Sequence, residues 1–151
     1  MATIICTDNL GNPIPVAPEA LTFRPAVYGI FIENNQILLQ QHPQTDLWHP
    51  PGTILAENET PTQVIRQTFQ QLIGMIPKLG PMLFVEDQYI IDDERRAWHY
   101  SVLYYSLERS PTASAISDSS QTTWLPLDNL EREQMHFGYE AIQAGRLQRR
   151  L

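Results

Sequence analysis

Residues 27–32 read Val-Tyr-Gly-Ile-Phe-Ile, an apolar run without the alternation of polar and apolar side chains that a half-exposed strand shows. Such a run predicts a central strand covered on both faces of its sheet. Turn residues follow at 33–36, and the apolar stretch at 37–41 predicts a second strand beside the first. The chain is therefore expected to contain a sheet with a buried centre.

A helix is predicted over about residues 61–73, with signals at both ends. Thr60 is a suitable N-cap, Pro61 suits the first helical position, and Gln63 completes a Thr-x-x-Gln capping box. Gly74 is placed to end the helix in the left-handed conformation. Four apolar residues at helical spacing give this helix one core-facing side: Val64, Ile65, Phe69 and Leu72.

The rest of the chain predicts further strands, two loops and a second helix. Residues 1–22 are expected to form an N-terminal hairpin, and residues 23–151 a single domain. Residues 42–52, rich in Pro and Gly, predict a loop, and the Ser/Thr/Ala-rich residues 110–121 predict a mobile loop. Additional strands are expected at 81–85, 88–91 and 97–107, a charged turn at 92–96, and a helix at roughly 138–149.

Composition excludes several classes of partner. Ten basic and seventeen acidic residues give a net charge of −7, which disfavours binding to a nucleic-acid backbone. The one cysteine, Cys6, rules out a disulfide within the chain and suits a reducing compartment. The first residues lack the basic region and the long apolar run of a signal peptide, so none is expected. No apolar run approaches the roughly 18 residues of a membrane span. A soluble cytoplasmic domain without a membrane partner is therefore expected.

The segment from Thr53 to Met75, TILAENETPTQVIRQTFQQLIGM, follows Trp48-His-Pro-Pro-Gly52. It resembles the Nudix box, G-x5-E-x7-R-E-U-x-E-E-x-G-U with U apolar, over its full length and without insertion or deletion. Glu59 stands at the first Glu, Phe69 at the first U, and the closing Gly-U pair is present. The resemblance covers roughly residues 23–145. It implies a Nudix-type α/β/α sandwich with a mixed sheet, the box helix on one side and the C-terminal helix on the other.

The charged residues of the box are replaced. Thr53 stands at the first Gly and Gln67 at the Arg, and the three later Glu positions hold Thr68, Gln71 and Leu72. A register slipped by one residue would place Arg66 at the Arg position, but Gln67, Gln70 and Gln71 would then fill the Glu positions. Either register leaves the helix without a carboxylate.

The resemblance implies that these glutamates hold Mg²⁺, which neutralises phosphate charge and lowers the pKa of bound water. Each missing negative charge removes on the order of 4 kcal/mol of attraction at an effective dielectric of 20. Loss of the Arg together with its carboxylates leaves a self-consistent site, because an Arg buried without partners would be costly. The pattern indicates a repurposed scaffold.

The first hypothesis is a Nudix-like domain that is inactive or weakly active. It would bind a nucleotide-like or other phosphorylated small molecule, or a protein partner, without a cofactor. Arg24 could hold a phosphate through its two-pronged guanidinium, or form a surface ion pair. The other candidate ligand contacts are Trp48, His49, Gln67 and Gln71, although Trp48 also suits a packing role.

Two alternatives remain. An atypical hydrolase of a nucleoside diphosphate derivative would hold one Mg²⁺ or Mn²⁺ through Glu59, Glu86 and the carbonyl of Gly52, with the two glutamates as catalytic candidates. Glu59 could instead only stabilise the nearby helix N-terminus through the helix dipole, and Glu86 could be a surface residue at a strand end. A structural subunit without a ligand is the third hypothesis, favoured if Leu72 fills the cleft. By analogy with the family, a homodimer is possible.

Overall fold

The computed structural model describes residues 2–111 and 121–149. Within them the α-helices are α1 (Pro61–Ile73) and α2 (Tyr139–Arg149), and short 3-10 helices lie at Pro18–Ala20 and Arg132–Gln134. The strands are β1 (Ile4–Thr7), β2 (Pro13–Val16), β3 (Leu21–Glu33), β4 (Gln36–Gln41), β5 (Trp48–His49), β6 (Gly52–Ile54), β7 (Lys78–Ile91), β8 (Ala97–Glu108) and β9 (Thr123–Pro126).

The strands form one mixed sheet in the order β2-β1-β7-β8-β3-β4-β5, with β6 also paired to β3 and β9 to β4. The two longest pairings meet at β8, which runs parallel to β3 and antiparallel to β7. The N-terminal hairpin of β1 and β2 forms as predicted, and β1 joins β7 through the parallel pair Thr7 and Ile90. The hairpin therefore extends the main sheet.

Strand β3 is the centre of the core, as the apolar run at 27–32 predicts. Side chains alternate between the two faces of a strand. On one face Val27 and Phe31 belong to the α1-side cluster, whose other members are Leu38, Leu55, Val64, Ile65, Phe69, Ile73, Met75 and Leu107. On the other face Ala26 and Ile30 belong to the α2-side cluster, together with Ile32, Ile37, Leu39, Val102, Tyr104, Leu127, Leu130, Met135, Ala141 and Ile142. The sheet thus lies between two helical layers.

Helix α1 has the predicted ends. Thr60 is the N-cap in an extended conformation, and Gly74 closes the helix with φ of 74°, in the left-handed region that glycine adopts without strain. The predicted capping box is wrong, because the Thr60 hydroxyl donates to Oε1 of Gln63 at 2.9 Å instead of capping a backbone N–H. The two side chains satisfy each other.

Two boundaries differ from the sequence expectation. The strands predicted at 81–85 and 88–91 are one strand, β7, because Glu86 and Asp87 pair with Val102 and Ser101 of β8 without interruption. The register shifts in this pairing lie earlier, on either side of Met82. Residues 42–52 were expected to form only a loop, yet they contain β5 and the start of β6. Most of the mobile loop predicted at 110–121 lies outside the described residues. No helix in the described part of the chain is both long and apolar enough to cross a bilayer.

Candidate functional site

The segment before α1 is held against β3 by backbone hydrogen bonds. The N–H of Gly29 donates to the carbonyl of Pro51 at 2.8 Å, and the N–H of Leu55 donates to Pro25 at 2.9 Å. Between these bonds, Gly52 of β6 pairs with Tyr28 of β3. Residues 51–55, called here the box segment, are therefore fixed to the central strand, and α1 begins from a defined position.

One cleft, of about 550 Å³, lies along the exposed flank of α1 and is called here the box cleft. It brings together Glu59 and the four α1 residues that the resemblance places at charged box positions, Gln67, Thr68, Gln71 and Leu72. Its described lining consists of Gln40, Gly52, Thr53, Ile54, Glu59, Val64, Gln67, Thr68, Gln71, Leu72 and Gln121.

The α1 side chains of the box cleft are uncharged. Gln67 and Gln71 are exposed, and their amides face the cleft. Thr68 is half-buried, and its hydroxyl donates to the carbonyl of Val64 at 2.8 Å. Leu72 is half-buried and packs against the α1-side cluster. This flank offers neutral hydrogen-bonding groups and two aliphatic side chains, Val64 and Leu72.

Glu59 contributes the only carboxylate to the described lining of the box cleft. Its Oε1 accepts the N–H of Ala56 at 2.6 Å, so this oxygen closes the turn before α1. Mg²⁺ is usually held through carboxylates and other hard oxygen ligands. One engaged carboxylate among amides does not fit the several Mg²⁺ ligands that the box resemblance implies. Across residues 2–111 and 121–149, no three His, Cys, Asp or Glu side chains are placed to hold a metal ion.

Arg24 supports the box segment. Its Nε and Nη2 both donate to the carbonyl of Leu55, at 3.2 and 2.6 Å. Arg24 was expected to hold a phosphate or to form a surface ion pair, and its guanidinium instead donates to a backbone oxygen. The described lining of the box cleft contains no Arg or Lys. A phosphate in that cleft would find no cation there.

Trp48 and His49 are not part of the described lining of the box cleft. Trp48 is half-buried and packs against the α2-side cluster. The ring of His49 stacks on Phe137, with centroids 5.0 Å apart, and its Nδ1 lies 2.8 Å from the carbonyl oxygen of Pro50. Both residues also border a further cleft together with Gln40, Gln41, Pro43, Gln121 and Thr123.

Three histidines, His42, His49 and His136, lie close together beside this further cleft, and the sequence did not predict their proximity. The ring centroids of His42 and His136 are 4.7 Å apart, and His49 stacks on the neighbouring Phe137. Burial lowers the pKa of His49 and of His136, and the nearby imidazoles lower both further. The backbone bond from the N–H of His136 to the carbonyl of Trp48, at 2.7 Å, brings the segments together. No local sequence pattern encodes this contact.

Glu86 lies within β7 opposite Val102, and not at a strand end as predicted. It accepts a hydrogen bond from the hydroxyl of Tyr104. Tyr104 is fully buried in the α2-side cluster, and burial together with Glu86 raises its pKa far above the usual value. Glu86 thus faces the α2 side of the sheet, whereas Glu59 and Gly52 line the box cleft. The metal set Gly52, Glu59 and Glu86 is not brought together.

Glu86 lines a different depression, called here the α2-side cleft, with a volume of about 520 Å³. This cleft lies between β7, the end of β1 with its turn, and the start of α2. Its described lining is Ile5, Thr7, Asp8, Asn9, residues 86–90, Arg132 and residues 135–140. Sequence reasoning selected Glu86 but missed the aromatic wall, because Phe137 and Tyr139 follow a 3-10 helix without any recognisable motif.

No family model and no curated protein matches the chain. Solved structures do match it. A MutT Nudix hydrolase from Burkholderia pseudomallei has a TM-score of 0.62 and 18% identity, covering 82% of this chain and 98% of that one. A Nudix hydrolase from Nitrosomonas europaea has a TM-score of 0.60 and 9% identity, covering 84% and 90%. An ADP-ribose pyrophosphatase from Streptococcus suis has a TM-score of 0.55 and 13% identity, covering 86% and 94%.

At these identities the matches show the fold alone. The chain has the Nudix fold, an α/β/α sandwich with a mixed sheet, and the fold expected from the box resemblance is confirmed.

Proposed function

We propose that this chain is a Nudix-fold binding domain that does not hydrolyse diphosphates with Mg²⁺. The proposal is carried by the flank of α1, where the box cleft presents Gln67, Thr68, Gln71 and Leu72. A diphosphate and its metal ions would meet neutral amides there, with Glu59 as the one carboxylate. Charge stabilisation, the main contribution of the metal to such a reaction, would be lacking.

A small nucleotide-like molecule is the ligand class that the fold neighbours suggest, since one of them is named an ADP-ribose pyrophosphatase. The exposed amides of Gln67 and Gln71 can donate and accept hydrogen bonds to neutral polar groups. A protein partner is the second proposal for the same surface. The net charge of −7 argues against a nucleic acid, and the buried free Cys6 suits a reducing compartment such as the cytoplasm.

The other two hypotheses lose support from the geometry. A single-metal hydrolase would need Glu86 at the box cleft, yet Glu86 faces the α2 side. A structural subunit would have its cleft filled by its own side chains. Leu72 does pack against the α1-side cluster, but about 550 Å³ of cleft remains beside it.

The test is single-turnover cleavage, with the protein in excess over a panel of nucleoside diphosphate derivatives and with Mg²⁺ or Mn²⁺ present. We expect no cleavage above that of a Glu59→Gln variant purified in parallel, which controls for a contaminating hydrolase. Metal-dependent cleavage by the wild type that disappears in Glu59→Gln would show a working metal site and would overturn the proposal.

A further inference from the structure

The α2-side cleft has the size and shape of a small-molecule site. Its volume of about 520 Å³ lies within the roughly 300–1,000 Å³ typical of ligand pockets. Strand alternation directs the side chains of Glu86, Gln88 and Ile90 into the cleft. Those of Asp87 and Tyr89 point to the other face, where both contact His99. Glu86 is therefore the acid on the strand floor of the cleft.

Glu86 is held in place by hydrogen bonds but has no cationic partner among the described residues. The buried hydroxyl of Tyr104 donates to its Oε1, and Gln88 makes a longer contact with the same oxygen at 3.4 Å. Glu86 is half-buried, and no ion pair joins it to a cation among the described residues. A carboxylate that loses water without gaining a cation is costly. A cation bound in the cleft would offset that cost.

The other charged groups of the lining already have partners. Asp8 accepts the N–H groups of Leu10 and Asn12, at 2.9 and 2.8 Å. Arg132, the one Arg or Lys in the described lining, is paired with Glu140. The cleft therefore carries a net negative charge, which repels a phosphate and attracts a cation.

The remaining walls suit an apolar or aromatic body. Ile5 and Ile90 come from the sheet side, and Phe137 and Tyr139 come from the start of α2. The Phe137 ring is held by Tyr28 and His49, with ring centroids 4.9 and 5.0 Å from its own. The guanidinium of Arg132 already lies over the Tyr139 ring, 4.7 Å from its centroid. Phe137 and Tyr139 are therefore expected to offer mainly apolar contact, and the carboxylate of Glu86 would supply the attraction for a cation.

We propose that the α2-side cleft binds an organic cation, a protonated amine or guanidinium on an apolar or aromatic body, with Glu86 as its counter-ion. The inference rests on the proposal that this domain binds a ligand and does not hydrolyse one. It adds a second ligand, of opposite charge to a nucleotide, at a site on the other face of the sheet from the box cleft.

The experiment is calorimetric titration and amide chemical-shift mapping with three probes: 2-phenylethylammonium, benzamidinium and agmatine. The neutral analogue 2-phenylethanol and inorganic phosphate serve as comparison probes. We expect saturable binding of at least one cation, with shifts at Gln88, Phe137 and Tyr139, and weaker binding of the neutral analogue. Affinity should fall at least about tenfold in Glu86→Gln, as expected for the loss of a charged contact.

Two variants separate charge from structure. Glu86→Gln keeps an oxygen that accepts from Tyr104, so its melting temperature should remain close to that of the wild type. Glu19→Gln makes the same change of charge on the exposed 3-10 helix, outside the cleft, and should bind the cations as the wild type does. If Glu86→Gln proves unstable, Tyr104→Phe tests the site by loosening the carboxylate while keeping its charge, and should weaken cation binding by less.

The inference is overturned if no cation binds, if 2-phenylethanol binds as tightly as its ammonium analogue, or if Glu86→Gln and Glu19→Gln behave alike. Each of these outcomes leaves the proposed function standing. Metal-dependent turnover in the single-turnover assay would instead overturn the proposed function, whatever the cations do.

Discussion

Gly29 lies where α1 crosses the central strand. A Cβ added there would come within 2.4 Å of Leu107 Cδ1 and 2.6 Å of the Phe69 ring, closer than non-bonded carbon atoms approach. We expect Gly29→Ala to lower the free energy of unfolding by about 1–3 kcal/mol, because the close-packed core must shift to admit the methyl group. Urea denaturation of the variant and the wild type measures the difference.

The contact with Phe69 provides the control for this prediction. Phe69→Leu alone should destabilise the protein by leaving a void, and combined with Gly29→Ala it should cost less than the sum of the two single changes. Strict additivity in this double-mutant cycle would show that the methyl group does not meet the Phe69 ring.

At the scale of elements, the α1 side chains that line the box cleft carry no charge. Replacing Gln67 by Arg and Thr68, Gln71 and Leu72 by Glu should raise Mg²⁺ affinity, because residues three and four apart share a helix face. At an effective dielectric of 20, each added carboxylate near the ion contributes on the order of several kcal/mol of attraction. Calorimetric titration with Mg²⁺ measures the gain.

A matched variant tests whether position matters beyond added charge. Gln63→Glu with Gln70→Glu adds carboxylates to the same helix but borders a different depression, beside Arg66 and Ile76. We expect this pair to bind Mg²⁺ no better than the wild type does. Equal Mg²⁺ affinity in the two variants would show that the assigned register of the box is wrong.

The elements with local signals are those that the sequence predicts best. Both ends of α1 follow from Thr60, Pro61 and Gly74, residues whose conformational preferences act within one turn. The prediction of two strands in place of β7 was wrong because the charged residues Glu86 and Asp87 pair with β8, which lies later in the chain. The predicted capping box was wrong because Thr60 and Gln63 can hydrogen-bond to each other as well as to backbone N–H groups.

At the scale of the whole molecule, the three histidines couple the β4–β5 loop to the segment before α2. The folded state lowers the pKa of His49 and His136 below about 6.5, the ordinary value for histidine. Below that pH the unfolded chain therefore binds more protons than the folded protein. We expect stability to be full above about pH 6.5 and to fall as the pH drops towards 5. Urea denaturation across this range measures the change.

The double variant His49→Gln, His136→Gln is the control. Removing both imidazoles should flatten the dependence of the free energy of unfolding on pH between about pH 6.5 and 5. The loss of stability below about pH 4, to which carboxylates such as Asp92 contribute, should remain. An unchanged slope in the double variant would assign the effect to other groups.

The same long-range assembly limits what the sequence can tell about the site. Most residues of the box cleft lie close together in the chain, at 52–72, whereas Gln40 and Gln121 reach it only through the fold. Glu86 was selected for its chemistry, yet its face of the sheet was fixed only by the pairing with β8 and the bond to Tyr104. His136 and Phe137 lie in an irregular segment, and their neighbours depend on where α2 packs.

The proline-rich strand β2 has a consequence for self-association. It forms one border of the sheet, and two of its four residues, Pro13 and Pro15, have no amide hydrogen to donate. A second copy could therefore not add its own strand here to make a continuous ladder, and the same border resists growth into fibrils. A dimer of this chain is therefore not expected to extend the sheet at β2.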